Sequence, residues 1–167
     1  GLTVCLTGDG GDELFGGYYR HSLIPLFHSL KRFFPTNLLS FFLSNLSRLY
    51  LSDHSLFRNK IQKLQYLLSS DTSVVDAYKS VRSIFNDQYL SNLFPDIAIF
   101  SEELIVSSSS LRQSVMNLDI EHYLPFDILT KVDRASMSVG LETRAPFLDP
   151  RLYDFSKSLP MSYKNNF

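Results

Sequence analysis

The stretch that decides the fold runs from Leu2 to Gly17 and reads LTVCLTGDGGDELFGG. Its first part, Thr3 to Leu6, is apolar and partly β-branched, which predicts a short buried strand ahead of the glycines. Those glycines permit positive φ angles and a close approach of the backbone to a ligand. We expect Asp12 to cap a helix that Gly16 and Gly17 end early. The sequence therefore predicts a strand, a glycine turn and a short helix.

Three carboxylates, Asp9, Asp12 and Glu13, lie in this turn and would repel a bare phosphate. A divalent cation resolves the conflict, because Mg²⁺ can bind carboxylate and phosphate oxygens together. The residues alone thus indicate a magnesium–nucleotide or magnesium–pyrophosphate site. The competing interpretation is a capped turn whose acids only stabilise the helix, by about 0.3–1 kcal/mol each. The turn is neither a Walker A loop nor a clean dinucleotide fingerprint.

The rest of the chain is predicted to be mainly helical. From His21 to about Leu118, apolar residues recur at steps of three and four, with breaks expected near three prolines. We expect Pro125 to open a helix that ends near Gly140. The predicted breaks and later elements are Pro25, Pro35, Pro95, an extended or looped segment from Leu141 to Leu148, and a last helix from Pro150 that stops before Pro160. Few short strands among many helices indicate part of an α/β fold.

The charge balance and the cysteine count of the chain argue against several kinds of partner and against an internal disulfide. The 167 residues carry 16 basic and 17 acidic side chains, a net charge of −1. This balance gives no electrostatic reason to expect nucleic acid or a membrane surface as a partner. The single cysteine, Cys5, cannot form an internal disulfide and is expected to be an inert buried residue. A reducing, cytoplasmic location fits best.

A second group of charged residues follows in the last third of the chain. Its members are Lys131, Asp133, Arg134, Glu142 and Arg144. Such alternation is usually a solvated face or a set of ion pairs. The functional alternative is that the cations neutralise phosphate or carboxylate charge. The histidines His21, His28, His54 and His122 show no metal-ligand spacing, so ordinary surface or core positions are expected.

Three segments resemble one family in the same order along the chain. Val4 to Tyr18 resembles the second nucleotide loop of the asparagine synthetases. Tyr123 to Pro125 with Lys131 to Met137, and then Leu141 to Asp149, resemble that family's next two blocks. The resemblance implies a partial synthetase domain over residues 1–167. It would be the mainly helical C-terminal portion of a Rossmann-like pyrophosphatase-loop ATP domain, with ATP and Mg²⁺ as cofactors.

The resemblance also implies a reaction. ATP would adenylate the side chain of aspartate to β-aspartyl-AMP, and ammonia would displace AMP to give asparagine, AMP and pyrophosphate. In the family the ammonia comes from glutamine, through an N-terminal glutaminase domain. We expect that domain and the family's Ser-Gly-Gly-x-Asp-Ser loop to lie upstream of Gly1, and the family's late catalytic lysine beyond Phe167. The piece alone would be inactive, and a homodimer is an open alternative.

The resemblance assigns roles to individual positions. Asp12 would bind the metal. The catalytic positions would be Asp9, Arg134 and Glu142. The nucleotide-binding positions would be Thr7, Gly8, Gly10, Gly11, Asp133 and Arg144. Asp9 departs from the family, which commonly has Glu there in a Ser-Gly-Glu-Gly loop, so the carboxylate is kept but its reach is one methylene shorter.

That departure leaves the substrate open. The variant loop also looks like homologues in surface-polysaccharide gene sets, so an amidotransferase acting on another carboxylate, such as a sugar acid, is the first alternative. A non-catalytic helical interaction module is the second alternative, motivated by the long helical middle of the chain.

Overall fold

A computed structural model describes residues 1–35, 38, 41, 44–45, 63–68, 72–83, 90, 92–95 and 110–164. The chain divides into two units, Gly1–Ser22 with Ile105–Phe167, and Leu23–Leu104. The strands are β1 (Val4–Leu6) and β2 (Glu142–Arg144). The helices are α1 (Gly11–Phe15), α2 (Arg20–Phe33), α3 (Val74–Arg82), α4 (Leu111–Leu118), a π-helical segment (Asp119–Leu129), α5 (Thr130–Met137) and α6 (Pro150–Ser158).

Short 3₁₀ turns lie at Pro146–Leu148 and Met161–Tyr163, and residues 38, 41, 44–45, 63–68, 90 and 92–93 are also helical. The mainly helical α/β character with few short strands is confirmed. The Rossmann-like arrangement stays a prediction. Within the described ranges, no helix is both long and apolar enough to cross a membrane.

The two strands pair in parallel, with Val4 opposite Glu142 and Leu6 opposite Arg144. The Glu142 N–H donates to the carbonyl of Thr3 at 2.9 Å, and the Thr7 N–H donates to the carbonyl of Arg144 at 2.9 Å. Because parallel strands end at the same edge of a sheet, the segments that leave β1 and β2 start side by side.

The predicted strand is confirmed over Val4–Leu6, but its predicted burial is wrong. Leu2 is 85% exposed and Leu6 is 73% exposed, while Cys5 is only half-buried. The physical reason is that the described sheet has two strands, so no neighbouring element within the described part of the chain covers these side chains. The β-branched composition predicted the extended backbone, but it does not determine whether another element covers the side chains of the strand.

Helix α1 is bounded by glycines. Gly10 is its N-cap at φ 92°, so the prediction that Asp12 is the cap is wrong, and Asp12 instead lies in the first turn with Glu13. Only a residue without a Cβ adopts that left-handed conformation at little cost. Gly16, at φ 76°, ends the helix after five residues, as predicted.

The predicted helix start at Pro125 is wrong. Pro125 lies inside the π-helical segment, which joins α4 to α5 without a break. A proline in an α-helix collides with the carbonyl four residues back, and the wider π turn relieves this clash. The Thr130 hydroxyl donates to the Pro125 carbonyl at 2.9 Å, which satisfies an acceptor in the widened turn.

The break expected at Pro25 is also absent, because Pro25 lies within α2. Its neighbour Ile24 is 2% exposed, and this burial offsets the one lost backbone hydrogen bond. The other predicted boundaries are confirmed. Pro35 follows α2, Pro95 follows helical residues 92–93, Gly140 follows α5 at φ 68°, and Pro150 opens α6.

Each unit has its own core. In the first unit, buried apolar side chains come from α1, α4 and the π-helical segment: Leu14, Val115, Met116, Leu118 and Leu124. In the second unit they are Ile24, Leu67, Leu68, Ala77 and Tyr78. Helix α3 of this unit begins with a capping box, in which the Ser73 hydroxyl accepts from the Asp76 N–H and the Asp76 carboxylate accepts from the Ser73 N–H.

We expect Gly10→Ala to lower the free energy of unfolding of the intact protein by about 1–3 kcal/mol, because a non-glycine residue is strained at positive φ. The added Cβ would also come within 2.5 Å of Leu148 Cδ2. The matched control is Gly8→Ala, where a Cβ meets nothing within 4 Å. Urea unfolding of both variants measures the difference, and equal effects would contradict this account of the turn.

Candidate active site

The glycine turn lies at the carboxyl edge of the two-stranded sheet, against the segment that follows β2. The Gly11 backbone packs on the Phe147 ring, since an ideal Cβ at Gly11 would lie 3.5 Å from Phe147 Cε2. The Phe147 ring also meets Phe15 of α1 edge-on, with 6.2 Å between centroids. The turn between β1 and α1 is therefore backed by the 3₁₀ turn Pro146–Leu148.

Two features of the turn fit a nucleotide with its metal ion. Thr7 Oγ1 is buried and has no hydrogen-bond partner within the described ranges, which is unusual for a buried hydroxyl. The Asp12 side chain is exposed and Asp9 is half-buried, so both carboxylates are open to a ligand. A hydroxyl and two carboxylates are hard oxygen donors, which Mg²⁺ prefers.

The third carboxylate of the turn does not face this ligand side. Glu13 is 1% exposed, and the Tyr18 hydroxyl donates to its Oε1 at 2.9 Å. Burial raises the pKa of Glu13, and burial together with the hydrogen bond to Glu13 raises the pKa of Tyr18. The interpretation in which three acids of the turn face a phosphate is therefore wrong for Glu13, because its side chain enters the protein interior.

In the described ranges, no group of three or more His, Cys, Asp or Glu side chains could hold a metal ion by itself. Mg²⁺ in proteins commonly keeps several waters and is bound by one or two carboxylates plus substrate phosphates, and its presence here stays a prediction. Of the predicted residues, Asp12 could be such a carboxylate ligand.

A buried charged cluster lies in the same unit as the turn, centred on Asp119 at the start of the π-helical segment. Asp119 is 0% exposed and accepts hydrogen bonds from Arg20 Nε at 2.8 Å and from His21 Nε2 at 2.6 Å. Burial alone would raise the pKa of Asp119, but the hydrogen bonds and charges of His21 and Arg20 lower it below its ordinary value. An ionised carboxylate only accepts, so His21 Nε2 carries the proton.

Two tyrosines complete this cluster. The Arg20 guanidinium lies over the Tyr18 ring at 3.8 Å and over the Tyr123 ring at 4.6 Å. The two tyrosine rings meet edge-on at 5.8 Å. The sequence did not predict this cluster, because His21 was expected in an ordinary surface or core position and no local pattern marks Asp119. No local spacing links residues that lie about a hundred positions apart, so only the fold brings them together.

The second predicted group divides between two elements. Glu142 and Arg144 lie on one face of β2 and form an ion pair, with 2.8 Å between Glu142 Oε1 and Arg144 Nε. Asp133 and Arg134 are exposed on α5, which packs against β2. Among the described residues, no hydrogen bond or ion pair joins their side chains to those of β2. The structure thus brings the two elements together, but it does not join the four side chains.

Lys131 pairs instead with Asp127, one helical turn away at 3.9 Å, and both side chains are exposed. This contact fits the ordinary explanation, an ion pair on a solvated face. The other predicted positions, Thr7, Gly8, Gly10 and Gly11, all lie in the turn at the edge of the sheet. Their assignment to a nucleotide stays a prediction.

Comparison with known proteins assigns the chain to a family. The model of the asparagine synthase family matches residues 1–166. The chain therefore belongs to the asparagine synthase family, as the three sequence blocks predicted. No solved structure matches it significantly.

Individual relatives agree with this assignment. The chain is 30% identical to Asparagine synthetase (glutamine-hydrolyzing) 1 of Bacillus subtilis, over 98% of this chain and 26% of that protein. It is 26% identical to proteins of Mycobacterium bovis and Mycobacterium tuberculosis that are provisionally named asparagine synthetase (glutamine-hydrolyzing). These matches cover 98% of this chain and 25% of each relative. The chain thus spans about a quarter of the length of these curated relatives.

We expect Asp119→Asn to lower the free energy of unfolding by about 3–5 kcal/mol, because removal of one charge breaks the buried ion pair between Asp119 and Arg20. The Asp119 pKa is lowered on folding, so its contribution is complete above the unfolded pKa of about 3.9 and is lost as pH falls through the lower folded value. Urea unfolding of the intact protein between neutral and acidic pH measures both effects.

The matched control is Asp149→Asn. Asp149 caps α6 and binds Arg151 at 2.7 Å on the surface, where the Arg151 hydrogen bonds lower the Asp149 pKa to about 2. An exposed pair contributes much less than a buried one. Equal losses for the two variants would contradict the role assigned to the buried cluster.

Proposed function

We propose that the chain is part of an ATP-dependent amide-forming ligase that converts aspartate to asparagine. The observation that carries this proposal is the position of the Thr7–Asp12 turn. It leaves β1 at the edge of the sheet where β2 also ends, on a chain of the asparagine synthase family. Ligands of α/β folds commonly bind outside the carboxyl ends of the strands.

The proposed chemistry has two steps. A side-chain carboxylate oxygen of aspartate attacks the α-phosphorus of ATP and pyrophosphate leaves. The nitrogen of ammonia then attacks the activated carbonyl carbon, AMP leaves, and the nitrogen loses a proton. A free carboxylate is a poor electrophile, so the acyl-adenylate supplies the leaving group. Mg²⁺, when bound, offsets the charge of the departing pyrophosphate.

Each residue of the turn would have its own role in this reaction. The Thr7 hydroxyl, which lacks a protein partner in the described ranges, would donate to a phosphate oxygen. Gly8, Gly10 and Gly11 would contact the nucleotide through their backbone, and Asp12 would ligate the metal ion. Asp9, half-buried next to them, would receive the proton from the attacking ammonia.

The charged residues of α5 and β2 would contact the substrate and the nucleotide. Arg134 and Arg144 would neutralise carboxylate or phosphate charge, since a guanidinium contacts such groups in a bidentate manner. Glu142, which pairs with Arg144 at 2.8 Å, would hold that guanidinium in place, and Asp133 would support the nucleotide.

The ammonia is proposed to come from glutamine through a glutaminase domain elsewhere in the intact protein. This rests on the names of the relatives, which describe them as glutamine-hydrolyzing, and on the fact that the chain spans only about a quarter of their length. Action in the cytoplasm and assembly as a homodimer belong to the same proposal.

A second candidate function is amidation of another carboxylate, such as a sugar acid for a surface polysaccharide. Asp9 favours it, because a side chain one methylene shorter than the glutamate common in the family leaves room for a different acceptor.

We expect Asp12→Asn to weaken binding of Mg–ATP to the intact protein by at least about 100-fold, since even outer-shell changes at metal sites cost 10–100-fold. The matched control is Asp154→Asn, which removes an exposed carboxylate of α6. Titration calorimetry with Mg–ATP measures both variants, with a thermal melt to verify folding. Unchanged affinity in Asp12→Asn would refute the metal assignment and favour a non-catalytic module.

The acceptor is tested by exchange of labelled pyrophosphate into ATP, in the presence of aspartate or of a uronic acid. We expect aspartate to support exchange and the uronic acid to give the background rate, because only the proper carboxylate completes the adenylation step. The reverse result would establish the second candidate. Asp9→Glu, which restores the glutamate common in the family, should then shift the preference towards aspartate.

A further inference from the structure

Six buried or half-buried side chains beside the turn have no role in the proposed chemistry. We name them the anchor cluster, and its members are Glu13, Tyr18, Arg20, His21, Asp119 and Tyr123. All six belong to the unit that contains the turn. Continuous contacts run from Glu13 to the Tyr18 hydroxyl at 2.9 Å, from the Tyr18 ring to Arg20 at 3.8 Å, and from Arg20 Nε to Asp119 at 2.8 Å.

The ligand side of the turn is connected to this cluster through one short loop. Asp12 and Glu13 are neighbours in α1, and Asp12 is exposed while Glu13 is buried. The Gly17 N–H donates to the Asp12 carbonyl at 2.8 Å. The Asp12 carboxylate also lies against Gly17, where an ideal Cβ would be 2.7 Å from Asp12 Cγ. The conformation of Asp12 therefore depends on the path of the chain from Gly16 to Tyr18.

We propose that the hydrogen bond between Tyr18 and Glu13, anchored on Asp119 through Arg20, positions Asp12 for the metal ion. This inference rests on the proposed function, and it makes Tyr18 and Glu13 positioning residues. Partners outside the ligand shell of a metal orient the ligands, and their loss typically costs 10–100-fold in metal affinity. A five-residue helix has little stability of its own, so its orientation depends on contacts of this kind, beside the packing of Phe15 on Phe147.

The test is Tyr18→Phe in the intact protein. The ring stays on Arg20, but the hydroxyl that binds Glu13 is lost. We expect the Mg²⁺ concentration needed for half-maximal ATP binding to rise by about 10-fold or more, with maximal binding at saturating Mg²⁺ unchanged. Titration calorimetry with ATP over a series of Mg²⁺ concentrations measures this, and Mg²⁺ titration of the reaction should show the same rise with little change in kcat.

The matched control is Tyr78→Phe in α3. It removes another buried tyrosine hydroxyl, which accepts from Arg82 at 3.2 Å, in the other unit of the chain. We expect a comparable loss in the thermal midpoint but no rise in the Mg²⁺ requirement. An equal rise in both variants would show a general effect of destabilisation and would overturn the inference, as would a change below twofold in Tyr18→Phe.

A second variant covers the case in which Tyr18→Phe does not fold. In Glu13→Met the acceptor of the Tyr18 hydrogen bond is lost, so we expect the Mg²⁺ requirement to rise by about 10-fold or more, as in Tyr18→Phe. A change below twofold in Glu13→Met would overturn the positioning inference. Absence of Mg–ATP binding in the wild type would instead overturn the proposed function, and this inference with it.

Discussion

The parallel pairing of β1 with β2 is the constraint on which the rest of the first unit depends. It sets Leu6 opposite Arg144, so that the backbone of Thr7 is bonded to the last residue of β2. Two segments far apart in sequence then start from one edge, the glycine turn on one side and the 3₁₀ turn Pro146–Leu148 on the other. Packing of Phe147 on Phe15 and Gly11 extends this contact into α1. The pairing therefore brings the glycine turn and the 3₁₀ turn together at one edge of the sheet.

The charges of the anchor cluster satisfy a second constraint, because a buried charge is tolerated only when it is paired and hydrogen-bonded. Asp119 lies where α4 changes into the π-helical segment and accepts from both Arg20 and His21. Two aromatic rings cover the Arg20 guanidinium, and the side chains of the Arg20–Asp119 pair are almost fully buried. Such a cluster adds little net stability compared with an apolar core, but its paired charges fix the positions of Arg20 and His21 against the π-helical segment within this unit.

The sequence predicted the features that depend on local chemistry. Extended residues before glycines, helix ends at Gly16 and Gly140, and the start of α6 at Pro150 follow from allowed φ angles and missing donors, which neighbouring residues decide. The prediction failed where contacts between residues far apart in the sequence determine the structure. Pro25 and Pro125 were expected at helix boundaries, yet burial of Ile24 and the π geometry keep both inside helices. The anchor cluster had no local pattern at all, since Asp119 meets Arg20 and His21 only after folding.

Asp12 and Glu13 show why a glycine motif does not by itself define a site. They are adjacent, carry the same functional group and lie in the same five-residue helix. Glu13 nevertheless enters the interior, where burial raises its pKa and Tyr18 donates to it, whereas Asp12 stays exposed on the side of the turn. The difference arises from the surroundings of α1, which is too short to be stable alone. The acidic turn thus contains one carboxylate that is available to a ligand and one that holds the helix in place. The packing of the whole unit determines which carboxylate has which role.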